Sequence, residues 1–238
     1  MCDVLAIGPH PDDMELAAGA TVAQLTAAGK EVILLDLTLG ERGTRGSAEV
    51  RAEEARNAAK ILGAGRRCLH LPDTGVRALD EDQIEALVNE LRRLRPRLVI
   101  AAHGDDDHPD HREGAELVRR AIYLSGLNRF GSGDREPYRP ERLLFAMGRR
   151  PFLPSLVVDV TDTYPIKRNA LAAFGSQFHR PEGDSLATPI SEPGFLPGIE
   201  ARDRYFGSLI GVTFGEAFLD RGPVAVKRAV SLIGEDGR

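Results

Sequence analysis

The first half of the chain alternates short apolar runs with longer stretches whose apolar residues recur every three or four positions. The short runs read as β-strands buried on both faces, and the longer stretches as amphipathic helices. The resulting order is a strand at Asp3–Gly8, a helix closing at Gly29, a strand at Glu31–Thr38 and a helix from Ser47 to Gly63. There follow a strand at Arg67–Pro72, a helix at Asp80–Arg95, a strand at Arg97–His103 and a helix opening at His108. The punctuation agrees with this reading. Ser47 is placed to cap a helix N-terminus, Asp80 and Gln83 have capping-box spacing, and Pro96 stops the helix before it. Strands separated by helices of this length build a parallel sheet from βαβ units. The predicted fold class is therefore α/β: a Rossmann-like, doubly wound, mostly parallel sheet with helices on both faces.

Beyond Gly126 the pattern weakens. "RLLFAMG" (Arg142–Gly148) and "LVVDVT" (Leu156–Thr161) read as two more strands, and "TYPIKRNALAAFG" (Thr163–Gly175) as a helix. The stretch 176–198 is rich in Pro, Gly and Ser, and is expected to be a structureless active-site or interface loop. With no repeat, low-complexity tract or linker, a single domain over 1–238 is expected.

Composition narrows the function classes. With 42% hydrophobic and 28% charged residues, the chain has the balance of an ordered globular protein. The net charge of −5, with no basic stripe, argues against a nucleic-acid partner. There is no charged leader before an apolar core, and no apolar run approaches the ~20 residues of a membrane span. The expectation is a cytoplasmic protein with no membrane partner. Cys2 and Cys68 form no CxxC pair.

The chemistry is concentrated in two turns. The first strand leaves through "PHPDD", which crowds His10, Asp12 and Asp13 together; the fourth leaves through "HGDDDHPDH", with His108, Asp110 and His111. If the strand order is 3-2-1-4-5, strands one and four are neighbours and both turns open on the crevice at the topological switch point. Singly, either turn is explained by a helix cap; together they point to a metal site. Two imidazoles and a carboxylate suit Zn²⁺, and three protein ligands leave a fourth position for water. A spare carboxylate would then take a proton, and a spare imidazole would stabilise charge on a carbonyl oxygen. Spacing alone does not tell Asp12 from Asp13. The first turn lacks G-x-G-x-x-G and G-x-x-x-x-G-K-[ST], which argues against a nucleotide-binding regulatory domain. A metal-dependent phosphoesterase would have to use these acids to bridge two metals.

With "PHPDD" and "HPDH" in order at these strands, the chain resembles the LmbE-like, or PIG-L-type, zinc-dependent N-acetylglucosamine deacetylases. The likeness extends through "DLTLGERGT", "RAEEARNAAKILG", "LPDTG", "SQF" and "RDRYFGSLIGVTFGEAF", and is closest to the branch acting on N-acetylglucosaminyl malate in bacillithiol biosynthesis. The resemblance implies a hydrolase with one zinc per chain held by His10, Asp13 and His111. It also implies Asp12 as general base, His108 as the oxyanion-stabilising histidine, and Arg51 as a substrate contact. Asp110 is expected to orient a ligand histidine. Relatives handling the malate conjugate often carry a basic residue just before "HPDH", where this chain has Asp107. Family members are commonly homo-oligomers, so that assembly is expected here too. His70, His103 and His179 have no motif support and are expected to be surface or satisfied histidines.

Overall fold

A computed structural model describes residues 1–131, 135–178, 186–220 and 222. The elements of the first half are β1 (Val4–Gly8), α1 (Asp13–Ala27), β2 (Val32–Asp36), α2 (Ala48–Ile61), β3 (Gly65–Cys68), α3 (Glu81–Leu94), β4 (Leu98–Ala102) and α4 (Pro109–Ser125). They are followed by β5 (Arg142–Ala146), β6 (Leu156–Asp159), α5 (Tyr164–Ala172), a 3-10 turn (Pro189–Ser191), α6 (Phe195–Leu209) and β7 (Gly215–Asp220).

The seven strands form one sheet in the order β3-β2-β1-β4-β5-β7-β6. The first five run parallel, with Val4 of β1 opposite both Val32 of β2 and Leu98 of β4. β7 lies antiparallel to both β5 and β6. The alternation along β1 shows why its sequence is apolar throughout. Val4 and Ala6 pack on one face, against residues of α1, α2 and α5; Leu5 and Ile7 pack on the other, against α3 and α4. Fully burying one such aliphatic side chain is worth roughly 1.5–3 kcal/mol, so a parallel strand covered on both sides has no position to spare for polar residues.

The expected caps form. Ser47 Oγ accepts from Val50 N, and Asp80 Oδ1 accepts from Gln83 N. The capping box at Asp80 is only half made, because Gln83 turns instead to Arg77 N and Gly75 O.

Four expectations change. β3 begins at Gly65, ahead of the apolar run, because pairing with β2 runs from Ile33–Gly65 to Asp36–Cys68. The stretch 176–198 is not structureless: it holds the 3-10 turn and the start of α6, while 179–185 lie outside the described residues. An unforeseen strand, β7, separates β5 from β6. Finally, α1 is broken at Ala18, whose φ of −145° is not helical. Among the described residues, no helix is long and apolar enough to cross a membrane.

Candidate metal centre

β1 and β4 are parallel neighbours, so the turns at their carboxyl ends open onto one cleft. This cleft of about 550 Å³ is lined by His10, Asp12, Asp13, His108 and His111 from those two turns. The loops after β2 and β3 add Arg42, Arg45 and Asp73, and the C-terminal third adds Gln177, Ile190, Phe195 and Arg202.

Asp13 sits between two imidazoles. Its Oδ2 is 3.4 Å from His10 Nδ1, and its Oδ1 is 3.3 Å from His111 Nε2. The edge of a tetrahedron with metal–ligand bonds of 2.0–2.1 Å is about 3.3–3.4 Å, the spacing that zinc ligands take. The far side of each ring faces carboxylates. His10 Nε2 lies 3.2 Å from Asp73 Oδ1 and 3.3 Å from Asp110 Oδ2, and His111 Nδ1 lies 3.2 Å from Asp106 Oδ2. These partners favour a proton on the far nitrogens, leaving His10 Nδ1 and His111 Nε2 turned to Asp13.

That arrangement calls for positive charge. Burial opposes protonation of His10, yet hydrogen bonds to Asp110, Asp13 and Asp73 raise its pKa well above the ordinary value. His111 is likewise pushed up to about 10: burial opposes the shift, but Asp13 and Asp106 outweigh it. A divalent cation among the same atoms supplies the charge that these protons otherwise provide. Among the described residues, two clusters have donor atoms mutually within 4.8 Å, His10 with His108 and His111 and His10 with Asp73 and Asp110, and imidazole and carboxylate donors of this kind suit zinc. His108 brings a ring nitrogen within 4.8 Å of the donor atoms of His10 and His111. Its Nδ1 is already engaged, accepting from Asp110 N as the cap of α4. Burial, then the neighbouring His10 and His111, hold the His108 pKa below the ordinary value, so its neutral ring carries the proton on Nε2.

The adjacent carboxylates differ. Asp13 is held well below the usual carboxylate range; its burial acts the other way, but His111 and His10 prevail. Asp12 is pushed up to about 7, chiefly by burial and also by Asp13, against the pull of Arg51. It does not cap α1 with its side chain, although it occupies the N-cap position at a φ of 107°. Such a φ is costly for a residue with a Cβ and persists only where surroundings over-determine it. Its buried Oδ2 has no hydrogen-bond partner among the described residues, and Arg51 Nη2 stands 3.6 Å away.

Three comparisons with known proteins bear on the family of the chain. Residues 5–122 match the PIG-L family model, described as GlcNAc-PI de-N-acetylase. The diacetylchitobiose deacetylase of Thermococcus kodakarensis is 32% identical over 191 residues, covering 74% of this chain and 70% of that protein. The chain belongs to the PIG-L family. The 1D-myo-inositol 2-acetamido-2-deoxy-alpha-D-glucopyranoside deacetylase of Rhodococcus opacus is 27% identical, covering 80% of this chain and 87% of that one. The solved structure of a conserved protein from Thermus thermophilus superposes with a TM-score of 0.86 at 38% identity, over 95% of this chain and 97% of that one.

Within this PIG-L chain, the fold gathers every residue singled out from the two turns, though not all as expected. Arg51, expected as a substrate contact, is buried at 5% exposure. It donates to Gly40 O at 2.8 Å and to Pro11 O at 3.0 Å, gripping the first turn from behind. Asp110 is fully buried and also accepts from Thr74 N at 2.7 Å and Val76 N at 3.3 Å, tying the loop after β3 to α4. Asp107 pairs with Arg150 at the rim. Asp73 and Asp106 carried no functional expectation, although "LPDTG" and "HGDDDHPDH" contain them. His103 lines the cleft, with its ring 4.6 Å from that of Phe152. His179 lies outside the described residues.

Proposed function

We propose that this chain is a zinc-dependent deacetylase that hydrolyses the acetamide of an N-acetylglucosamine conjugate, with N-acetylglucosaminyl malate as the preferred substrate. The observation that carries this reading is the division between adjacent carboxylates: Asp13 is clasped by two imidazoles, while Asp12 is buried, unclasped and raised towards neutrality. His10, Asp13 and His111 would hold the ion. When bound, zinc supplies a Lewis acid that polarises a carbonyl and acidifies water near neutral pH.

The chain's own groups do the rest. Asp12 accepts a proton from the water as its oxygen adds to the acetyl carbon. His108 donates a hydrogen bond from Nε2 to the oxygen on which charge develops. Asp12 then passes its proton to the departing nitrogen as the C–N bond breaks, leaving acetate and an amine. Asp73, Asp106 and Asp110 keep the two ligand imidazoles turned. Arg51 holds the first turn from behind while lining the cleft, and we propose it as a substrate contact.

The malate assignment draws on sequence resemblance and on charge in the cleft. Asp107 is neutralised by Arg150, while Arg42, Arg45 and Arg149 line the cleft and suit a carboxylate-bearing aglycone. The test is amine release from N-acetylglucosaminyl malate, N-acetylglucosaminyl inositol and diacetylchitobiose, with zinc counted per chain. One zinc per chain and the highest kcat/KM on the malate conjugate are expected. Preference for either neutral substrate overturns the malate assignment alone. Release from none of them by a zinc-loaded protein, or two metals per chain with phosphoester cleavage, overturns the deacetylase reading.

A further inference from the structure

A cluster of charged side chains lies buried beneath the cleft, and the reaction outlined above does not use it. Lys167, Glu216 and Asp203 are 0%, 0% and 1% exposed. Lys167 Nζ donates to Glu216 Oε1 at 2.7 Å and to Asp203 Oδ2 at 2.8 Å. Tyr164 Oη donates to Asp203 Oδ2 at 3.1 Å, and Arg202 Nε donates to Asp203 Oδ1 at 2.8 Å. Two carboxylates balance one ammonium and one guanidinium. Such a cluster offers little stability over well-packed apolar residues, because burying the charges costs about what their pairing returns. Its placement in the fold suggests another reason for it.

The cluster closes the break in α1. In an unbroken α-helix the amide of Ala20 pairs with the carbonyl of Leu16. Here both groups are bound by side chains from the C-terminal third of the chain. Glu216 accepts from Ala20 N at 3.0 Å and from Thr21 N at 2.7 Å, capping the second segment of the helix. Arg202 Nη2 donates to Leu16 O at 2.8 Å, near the end of the first segment. Lys167 crosses α1 at Gly19, where a Cβ would meet its Cγ at 3.2 Å. Arg202 also reaches the end of β5, donating from Nη1 to Met147 O and Gly148 O, both at 2.9 Å. Arg202 and Glu216 thus grip opposite sides of the break, and Lys167 and Asp203 link them.

The first segment of α1, set off by this break, is the one that carries Asp13. We infer that Arg202 and Glu216 are positioning residues: by holding the break in α1 they set the direction of its first turn, and so keep the Asp13 carboxylate between His10 and His111. This inference rests on the reading of those three residues as the metal site.

The experiment measures zinc affinity without substrate, by competition with a chromophoric chelator, alongside thermal unfolding. Arg202→Met removes the grip on Leu16, and Glu216→Gln weakens the grip on Ala20 and Thr21 while keeping the side chain's size. Asp13→Ala and His111→Ala serve as benchmarks. Arg92→Met is the control, since Arg92 is a buried arginine serving the carbonyls of Ser125, Leu127 and Phe130 away from the cleft. Displacing a group that orients a metal ligand typically costs about 10–100-fold in affinity. That loss is expected for Arg202→Met and Glu216→Gln, partial recovery for Arg202→Lys, and no change for Arg92→Met even where its melting temperature falls as far. Glu216→Gln, the mildest change, decides the matter if Arg202→Met does not fold. Unchanged zinc affinity in the cluster variants, with binding lost in both benchmarks, overturns the inference, as does an equal loss in Arg92→Met. Zinc affinity unchanged in the benchmarks overturns the metal-site reading instead.

Discussion

Asp12 and Asp13 are neighbours in sequence and opposites in surroundings. A carboxylate between two imidazoles is fixed in its charged form, whereas one pressed into a buried site against a like charge is driven towards the protonated form. Asp12→Asn preserves size but cannot take a proton, so kcat is expected to fall by ~10²–10⁴-fold with zinc content unchanged. Asp13→Asn is expected to lose zinc and activity together, because an amide oxygen is a poorer ligand. Zinc per chain and kcat for the two variants decide it; the reverse pattern would exchange the two roles. His108→Ala separates a different pair of effects. Loss of the donor to the oxyanion is expected to lower kcat by roughly 10²–10³-fold. Loss of the α4 cap costs only about 1 kcal/mol, visible as a small drop in melting temperature. A variant with full kcat and a lowered melting temperature would leave His108 as a cap alone. At this scale the sequence exposed the candidates, since two turns crowded with titratable groups stand out together at the ends of neighbouring strands. It did not separate their roles, because protonation depends on neighbours brought from other loops.

At the scale of elements, Arg51 shows how a helix residue becomes part of a turn. Its guanidinium serves two carbonyls, Gly40 O in the loop after β2 and Pro11 O in the turn after β1. Arg51→Ala is expected to weaken substrate use and also to destabilise the fold by about 2–6 kcal/mol, since the two buried carbonyls left without donors cost about 1–3 kcal/mol each. Arg51→Lys is not expected to restore stability, because a point-like ammonium does not reproduce the planar fork. Gly40→Ala is expected to mimic the loss: Gly40 has φ +65°, and an added Cβ would stand 2.0 Å from Arg51 Nη1. Thermal unfolding of the three variants tests this, and an unchanged melting temperature in Arg51→Ala and Gly40→Ala would mean that the Arg51 bonds do not hold the turn. Helix starts at Ser47 and Asp80 were legible because a cap is an interaction across three residues. The break in α1 was not: the backbone groups beside it are bound by Glu216, 195–196 residues away, and by Arg202, 186 residues away.

Across the whole molecule, the proposed metal site joins the two halves of the parallel sheet at its centre, so occupancy and stability should be linked. Zinc at a free concentration a thousand-fold above its Kd is expected to stabilise the fold by ~4 kcal/mol. For a chain of this size that raises the melting temperature by about 8–16 °C relative to chelated protein. Calorimetry with and without chelator checks it; identical transitions at saturating zinc would mean that the native fold does not bind the ion in preference to the unfolded chain. The sequence by itself determined the parallel core, the helix starts and the crowding of histidines and acids at the ends of β1 and β4. Each of these is written in periodicity or spacing over a few residues, where local sterics, burial and capping act. Only the tertiary structure decided that β7 enters between β5 and β6, that Asp73, Asp106 and Asp110 stand behind the imidazoles, and that a buried ion cluster closes a broken helix. Those features are contacts between distant segments, and their charge states follow from the burial and partners that packing creates. No pattern within a single element carries that information.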